Sequence, residues 1–465
     1  MITRRQLLRS SATFVAATLG SRLLRGQGTR APRDFDVRSY GAVGDGTVLD
    51  TAAIQRAIDE AAAADGGRVL LPGGRRYLSG GLQLRAGLDF HLADDAELLV
   101  STDPAHFPDR ALLHAQDAHG LRLTGTGRIN GRAREFMTRY DAEMEIWHPK
   151  EFRPRLAVFS GCHDLEVREL TFHEAPSWTL HLLGCTGVLV DHVRIRNILD
   201  VPNCDGIDPD HCRDVEIRHC DIACGDDAIV IKTTAQGAAY GGSENIRVSD
   251  CVIETQDSGL KIGTETVADI RGVRFERCEI KTSCRGCTIQ LRDAGNVSDV
   301  EFRDIHFTAR YHSAPWWGRG EAISFTALPR TPETKVGQIS HVRVINVTGH
   351  AENSVRISGS PESRIRDVRF ENVAVTLGRW TRYPGAVWDN RPTTAQPSLE
   401  PHPTPAIALR HADQVTFQNC QVAWDANPPD YFTSALEASD VTALDPSGLQ
   451  GESAHPGRDP AISIH

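Results

Sequence analysis

Lysine is nearly missing from this chain. Only five of its 465 residues are Lys (150, 232, 261, 281 and 335), and the other basic residues are all Arg. Acids outnumber bases and the net charge is -10, which excludes a nucleic-acid binder held by bulk electrostatics. Methionine is scarce, and no apolar run approaches the roughly 20 residues that a membrane span requires. There is no Gly-x-Ser-x-Gly elbow, so a serine esterase of that kind is not indicated. Charged residues make up 24% and hydrophobic residues 40%, with 40 Gly and 24 Pro. That balance excludes a disordered tail, a coiled coil and a small disulfide scaffold.

The N-terminus reads as an address. Arg4-Arg5 is followed by Leu7-Leu8 and by a short apolar stretch from Ala12 to Leu19, the order of a twin-arginine export signal. The expected signal covers residues 1–28. The first 30 residues hold six Arg and no acid, so the rest of the chain carries -16. A periplasmic or secreted protein is expected.

What is abundant is repetition. Nine segments share one alternating pattern: they begin at Leu165, Val188, Val215, Ile246, Val273, Val300, Val342, Val368 and Val415. Period-2 alternation is the strand signature, and recurrence near 25 residues with little helical period points to a parallel β-helix. The expected domain covers 33–435, with 436–465 as a C-terminal tail. Two longer gaps, at about 310–335 and 379–410, read as inserted loops, the second rich in Pro. Residues Asp50 to Ala61 carry apolar residues at helical spacing between Gly-rich turns. A solenoid must cover its open end, so this helix is the expected N-terminal cap. Cys220, Cys251, Cys278 and Cys420 fall in one repeated slot that elsewhere holds Ile305, Val347 and Val373. A slot that accepts Cys, Ile and Val is an apolar core position, not a metal site. Cys284-x-x-Cys287 has no second pair and does not indicate zinc.

Two neighbouring repeats carry Asn203-Cys-Asp205-Gly-Ile-Asp208 and Gly225-Asp226-Asp227. With Leu180, Ile207, Ile229, Leu260 and Ile289 as register marks, the position two residues earlier runs Trp178, Asp205, Asp227, Ser258 and Cys287. Coils stack about 4.8 Å apart, which puts Asp205 beside Asp227 with Asp226 adjacent. Three clustered acids raise one another's pKa and suit acid–base catalysis or a cation. Asp208, across Ile207, is expected to support them.

These motifs resemble glycoside hydrolase family 28, the polygalacturonases and rhamnogalacturonan hydrolases. Asn203-Cys204-Asp205 matches the family's Asn-x-Asp, and Gly225-Asp226-Asp227 its Gly-Asp-Asp. Phe35 to Gly46 and Gly66 to Pro72 are similar to the opening of pectin-degrading β-helices. The resemblance implies an all-β, right-handed parallel β-helix and an inverting hydrolase of pectic polysaccharides or oligosaccharides. Asp226 would be the general acid, Asp205 and Asp227 would activate water, and no metal or organic cofactor would be needed. The family's Gly-His-Gly falls on Ser258-Gly259, and its Arg-Ile-Lys on Thr288-Ile289-Gln290, so the histidine and both basic residues are absent.

Substitutes are therefore expected from nearby residues. Lys261 and Arg292 are read as holders of a uronate carboxylate, and Lys232 is a further cation in the strands of the cluster. Ser258 and Gln290 are read as hydrogen-bonding positions for a sugar. Trp178, His181 and Trp317, with Asn203, complete the expected substrate contacts, and Glu321 is a weaker one. Trp380 and Trp388 would wall one end of the groove and favour exo action. A polysaccharide lyase and a non-catalytic carbohydrate-binding β-helix are the alternatives. The chain is expected to be monomeric.

Overall fold

A computed structural model describes residues 33–465; the expected export signal lies outside the described residues. The chain folds as a right-handed parallel β-helix, in which 36 strands pair coil upon coil. All nine repeated segments stack in parallel register, Leu165 on Val188, Val188 on Val215, and so on to Val368 on Val415. Inward side chains therefore meet their counterparts one coil away. Phe275 stacks on Phe302 at 5.0 Å between ring centres and Phe370 on Phe417 at 5.1 Å, while Phe302 also meets Phe325 of its own coil at 5.6 Å. Truncating one such buried ring costs about 3–5 kcal/mol.

The cysteine slot is core, as its Ile and Val occupants require. All eleven cysteines are buried and unpaired. Cys278 stacks on Ile305, which stacks on Val347. Burial pushes the Cys284 thiol up to about 12.

Thr51–Ala63 is an α-helix that buries Ala53, Ile54, Ala57, Ile58 and Ala61 against the first coil. The Asp50 carboxylate accepts backbone N–H groups of Val43 (2.7 Å) and Gly44 (3.0 Å), tying the glycine-rich turn to the helix start. This helix is the cap the repeat requires. The far end differs from expectation. Residues 436–465 add strands Leu436–Thr442, Leu449–Gln450 and Ile462–Ile464 to the stack and are not a tail. Their short, weakly alternating strands hide the repeat. No described helix is long and apolar enough to cross a membrane.

The insertions build one rim. The expected insert at 310–335 is two loops flanking the strand Glu321–Ala327. The insert at 379–410 carries an antiparallel pair, Val387–Asp389 with Leu399–Pro401. A third excursion, not singled out by the repeat, pairs Met137–Asp141 with Ile146–Pro149. Its tip meets the other two: Ser313 Oγ donates to Met144 O (2.6 Å), Trp316 Nε1 donates to Glu145 O (3.2 Å), and Arg382 and Tyr383 contact the Glu145 carboxylate.

Candidate active site

One column of strand positions defines the site. Arg155, Trp178, Asp205, Asp227, Ser258, Arg285 and Glu321 occupy the same place on successive coils, each two residues before a paired apolar residue or itself paired. The register corrects one expectation. Leu260 pairs with Cys287, not Ile289, so Arg285 and not Cys287 continues the column. Beside Asp205, Asp227 and the loops lies a cleft of about 350 Å³, lined also by Trp178, Asn203, Asp226, Asp257, Trp317 and Arg330.

Five carboxylates line this cleft, Asp205, Asp226, Asp227, Asp257 and Glu265, and a sixth, Asp208, is buried behind it. Asp205, Asp226 and Asp227 each bring one oxygen within 4.8 Å of the others. Two buried ammonium groups divide them. Lys261 Nζ donates to Asp227 Oδ2 at 2.6 Å. Lys232 Nζ donates to Asp205 Oδ2 at 3.2 Å and lies 2.9 Å from Asp208 Oδ1. Asp226 has no ammonium partner among the described residues. It accepts only backbone N–H groups, from Asn203 and Asp227, both at 3.0 Å.

Charge counting then sorts the acids, because two ammoniums, with Arg285 4.0 Å from Asp257, cannot neutralise Asp205, Asp208, Asp226, Asp227 and Asp257 together. Burial, then the neighbouring Asp205, Asp257 and Asp227, holds the Asp226 carboxyl well above the usual range. Asp257 is pushed up to about 7 by burial and by Asp227. Asp208 is raised well above its ordinary value by burial, with Lys232 opposing. Asp205 is raised by burial, and its ion pair with Lys232 opposes this. Asp226 is thus raised with no ammonium beside it among the described residues, whereas Asp205 and Asp227 each stand against one. The three close oxygens are a donor set that a cation would accept, but Lys232 and Lys261 already supply positive charge there.

The expected substrate contacts divide. Asn203, Trp178, Lys232, Lys261 and Trp317 line the cleft. Both Lys ammoniums are committed to aspartates. Trp178 has Lys232 Nζ and Arg155 Cζ over its ring at 4.0 and 4.3 Å. The others are corrected by the structure. Ser258 is fully buried and donates its hydroxyl to Asp257 (3.0 Å). His181 is fully buried between Arg155 and Asp210. Gln290 and Arg292 lie beneath the 379–410 insert, where Gln290 donates to Arg391 O and Arg292 donates to Thr326 Oγ1 and Asn390 O. The insert returns over these coils from about 100 residues away, which strand alternation cannot reveal. Glu321 is buried and takes the Arg319 N–H (2.6 Å). Trp388 is also buried, and Trp380 stacks on His350 at 4.3 Å, so neither lines the cleft. Asp257 was missed, although the register sets it beside Asp226, one position before Ser258.

Comparison with known proteins decides the family. A profile of glycosyl hydrolases family 28 matches residues 74–387. The chain belongs to glycosyl hydrolases family 28. A second profile, "Rhamnogalacturonase A/epimerase, pectate lyase-like", matches residues 35–92. A probable polygalacturonase of Vitis vinifera is 27% identical over 367 residues, 73% of each chain. Other plant relatives match over about half of their own length. Among solved structures, the exopolygalacturonase of Thermotoga maritima aligns with a TM-score of 0.65 at 20% identity, covering 86% of this chain and 94% of that one. The family 28 exopolygalacturonase of Yersinia enterocolitica aligns at 0.69 and 18%, covering 91% and 79%. At these identities the two structures speak to the fold.

Proposed function

We propose that this family 28 glycoside hydrolase inverts the anomeric centre of pectic chains rich in galacturonic acid. The observation that carries the reading is the sorting of acids by the two ammoniums. Asp226 keeps a proton and faces the cleft, so it donates to the glycosidic oxygen as the bond breaks. Asp205 and Asp227 each give one oxygen to an ammonium and keep a second. Asp205 Oδ1 has no hydrogen-bond partner, and Asp227 Oδ1 has only the Ser258 N–H at 3.4 Å. Asp205 and Asp227 bring one oxygen each within 4.8 Å of the other, a separation that one water molecule spans by donating to both. That water, stripped of a proton by the pair, attacks from the face opposite Asp226. An oxygen of Asp226 also lies within 4.8 Å of both, tighter than the roughly 6.5–9.5 Å usual between the acid and base carboxyl groups of inverting enzymes.

The three insertions that meet at Glu145 support action at chain ends, because a walled cleft admits few sugar rings. The apparent export signal supports a periplasmic or secreted enzyme, and the capped solenoid supports a monomer. The test separates proton donation from binding. Asp226→Asn should lower kcat on an oligogalacturonide by about 10²–10⁴-fold. On an aryl glycoside whose phenolate leaves without protonation, the same variant should lose far less. Equal losses on both substrates would remove Asp226 from the acid role.

A further inference from the structure

A second pocket lies on the other side of Trp178. Arg110, Arg153 and Arg155 line it over about 360 Å³, with Val158 and Ser177 beneath. Arg155 stands in the same column as the aspartates, two coils before Asp205, or about 10 Å at one coil rise each.

None of the three guanidiniums is ion-paired to a carboxylate among the described residues, in a chain where most arginines are. Arg153 donates to Pro176 O (3.0 Å), Pro202 O (2.7 Å) and Asn203 Oδ1 (2.9 Å). Arg110 lies over the Phe152 ring at 5.1 Å. Arg155 donates to His181 Nδ1 at 2.9 Å, so the His181 proton sits on Nε2 and is given to Asp210 at 3.1 Å. Asp210 in turn accepts the Thr234 N–H and hydroxyl. This buried chain fixes Arg155 and gives His181 a positioning role. Burial lowers the pKa of both Arg153 and Arg155, the mark of a cation desolvated without an anion beside it. Two exposed acids, Asp109 and Glu151, stand at the rim; Asp109 lies 3.8 Å from His114.

We propose that Arg110, Arg153 and Arg155 form a subsite that holds the carboxylate of a uronic acid residue one or two rings from the bond that is cut. The proposal rests on the hydrolase reading above. It also answers how a chain of strong negative charge grips a polyanion. The guanidinium fork matches a carboxylate, and Arg153 reaches Asn203, so the bound anion and the Asp226 backbone partner are coupled.

The experiment measures binding apart from turnover. In the Asp226→Asn protein, oligogalacturonides and their methyl esters are titrated by calorimetry. The acid form should bind about 10–100-fold more tightly than the ester, the worth of one charge-assisted contact. Arg110→Glu, at an exposed side chain, and Arg153→Gln should each erase most of that preference while leaving ester affinity within about twofold. A preference unchanged in both variants overturns the subsite. If the preference behaves as stated and the parent protein hydrolyses no pectic oligosaccharide, the hydrolase reading fails and the subsite stands. Hydrolysis of acid and ester at equal kcat/KM overturns the subsite alone.

Discussion

Lys261→Met removes one of the two charges that sort the acids. Its ammonium is buried and 2.6 Å from Asp227 Oδ2. Without it Asp227 keeps only the Ser258 N–H, at 3.4 Å. Breaking a buried pair from one side costs about 3–5 kcal/mol. Unfolding entropy scales at about 2.1 cal/mol/K per residue, so a cooperative unit of about 430 residues loses roughly 3–5 °C in Tm. A smaller unit, as expected when coils unfold in groups, loses more. The sign with pH follows from Asp227. The penalty is that of a buried carboxylate left without its cation, so it is present at neutral pH and fades as acid removes the charge. Differential scanning calorimetry at neutral and acid pH reads both effects, and Lys261→Met/Asp227→Asn closes the cycle. The double variant should be more stable than Lys261→Met alone. A Tm within about 1 °C of the parent in the single variant, or additive losses in the double, would refute the pairing argument.

Two further outcomes are expected. Asp257 is held at about 7 in the fold against 3.8 in a free chain. The native state therefore keeps a proton that the unfolded chain has lost, and stability falls as pH rises between those values. Asp257→Asn should flatten the decline of Tm between pH 5 and pH 8, and an unchanged slope would exclude this origin. All eleven thiols are buried. A thiol reagent should titrate none within minutes in the native protein and eleven after denaturation, and reductant should leave Tm unchanged.

The solenoid was legible because its repeat is written in alternating residues at Leu165, Val188 and their successors. Every one of those starts pairs with the next. The aspartates were legible for the same reason, since Asp205 and Asp227 occupy one slot of that repeat. Legibility ended where strands lengthen. The strands Ser258–Thr266 and Arg285–Leu291 pair Leu260 with Cys287, and both Cys287 and Ile289 are apolar. Composition cannot choose between them, so Arg285 escaped notice. Asp257 was readable from the register but stood behind the missing histidine at Ser258. Lys261 was singled out by its rarity and lies in the cleft, yet its partner is an acid of the protein. Arg292 and Gln290 were placed by alternation, which does not report what a loop covers. Arg110 and Arg153 precede their strands, outside any periodic pattern, and only the folded coils bring them beside Arg155.

The most direct test of the account is the configuration of the first product. Proton NMR of a pectic oligosaccharide during hydrolysis, recorded before mutarotation, distinguishes the anomers. Water held by Asp205 and Asp227 opposite Asp226 releases the β-anomer from an α-linked galacturonide. The α-anomer as first product would contradict the single displacement and the roles assigned to all three aspartates.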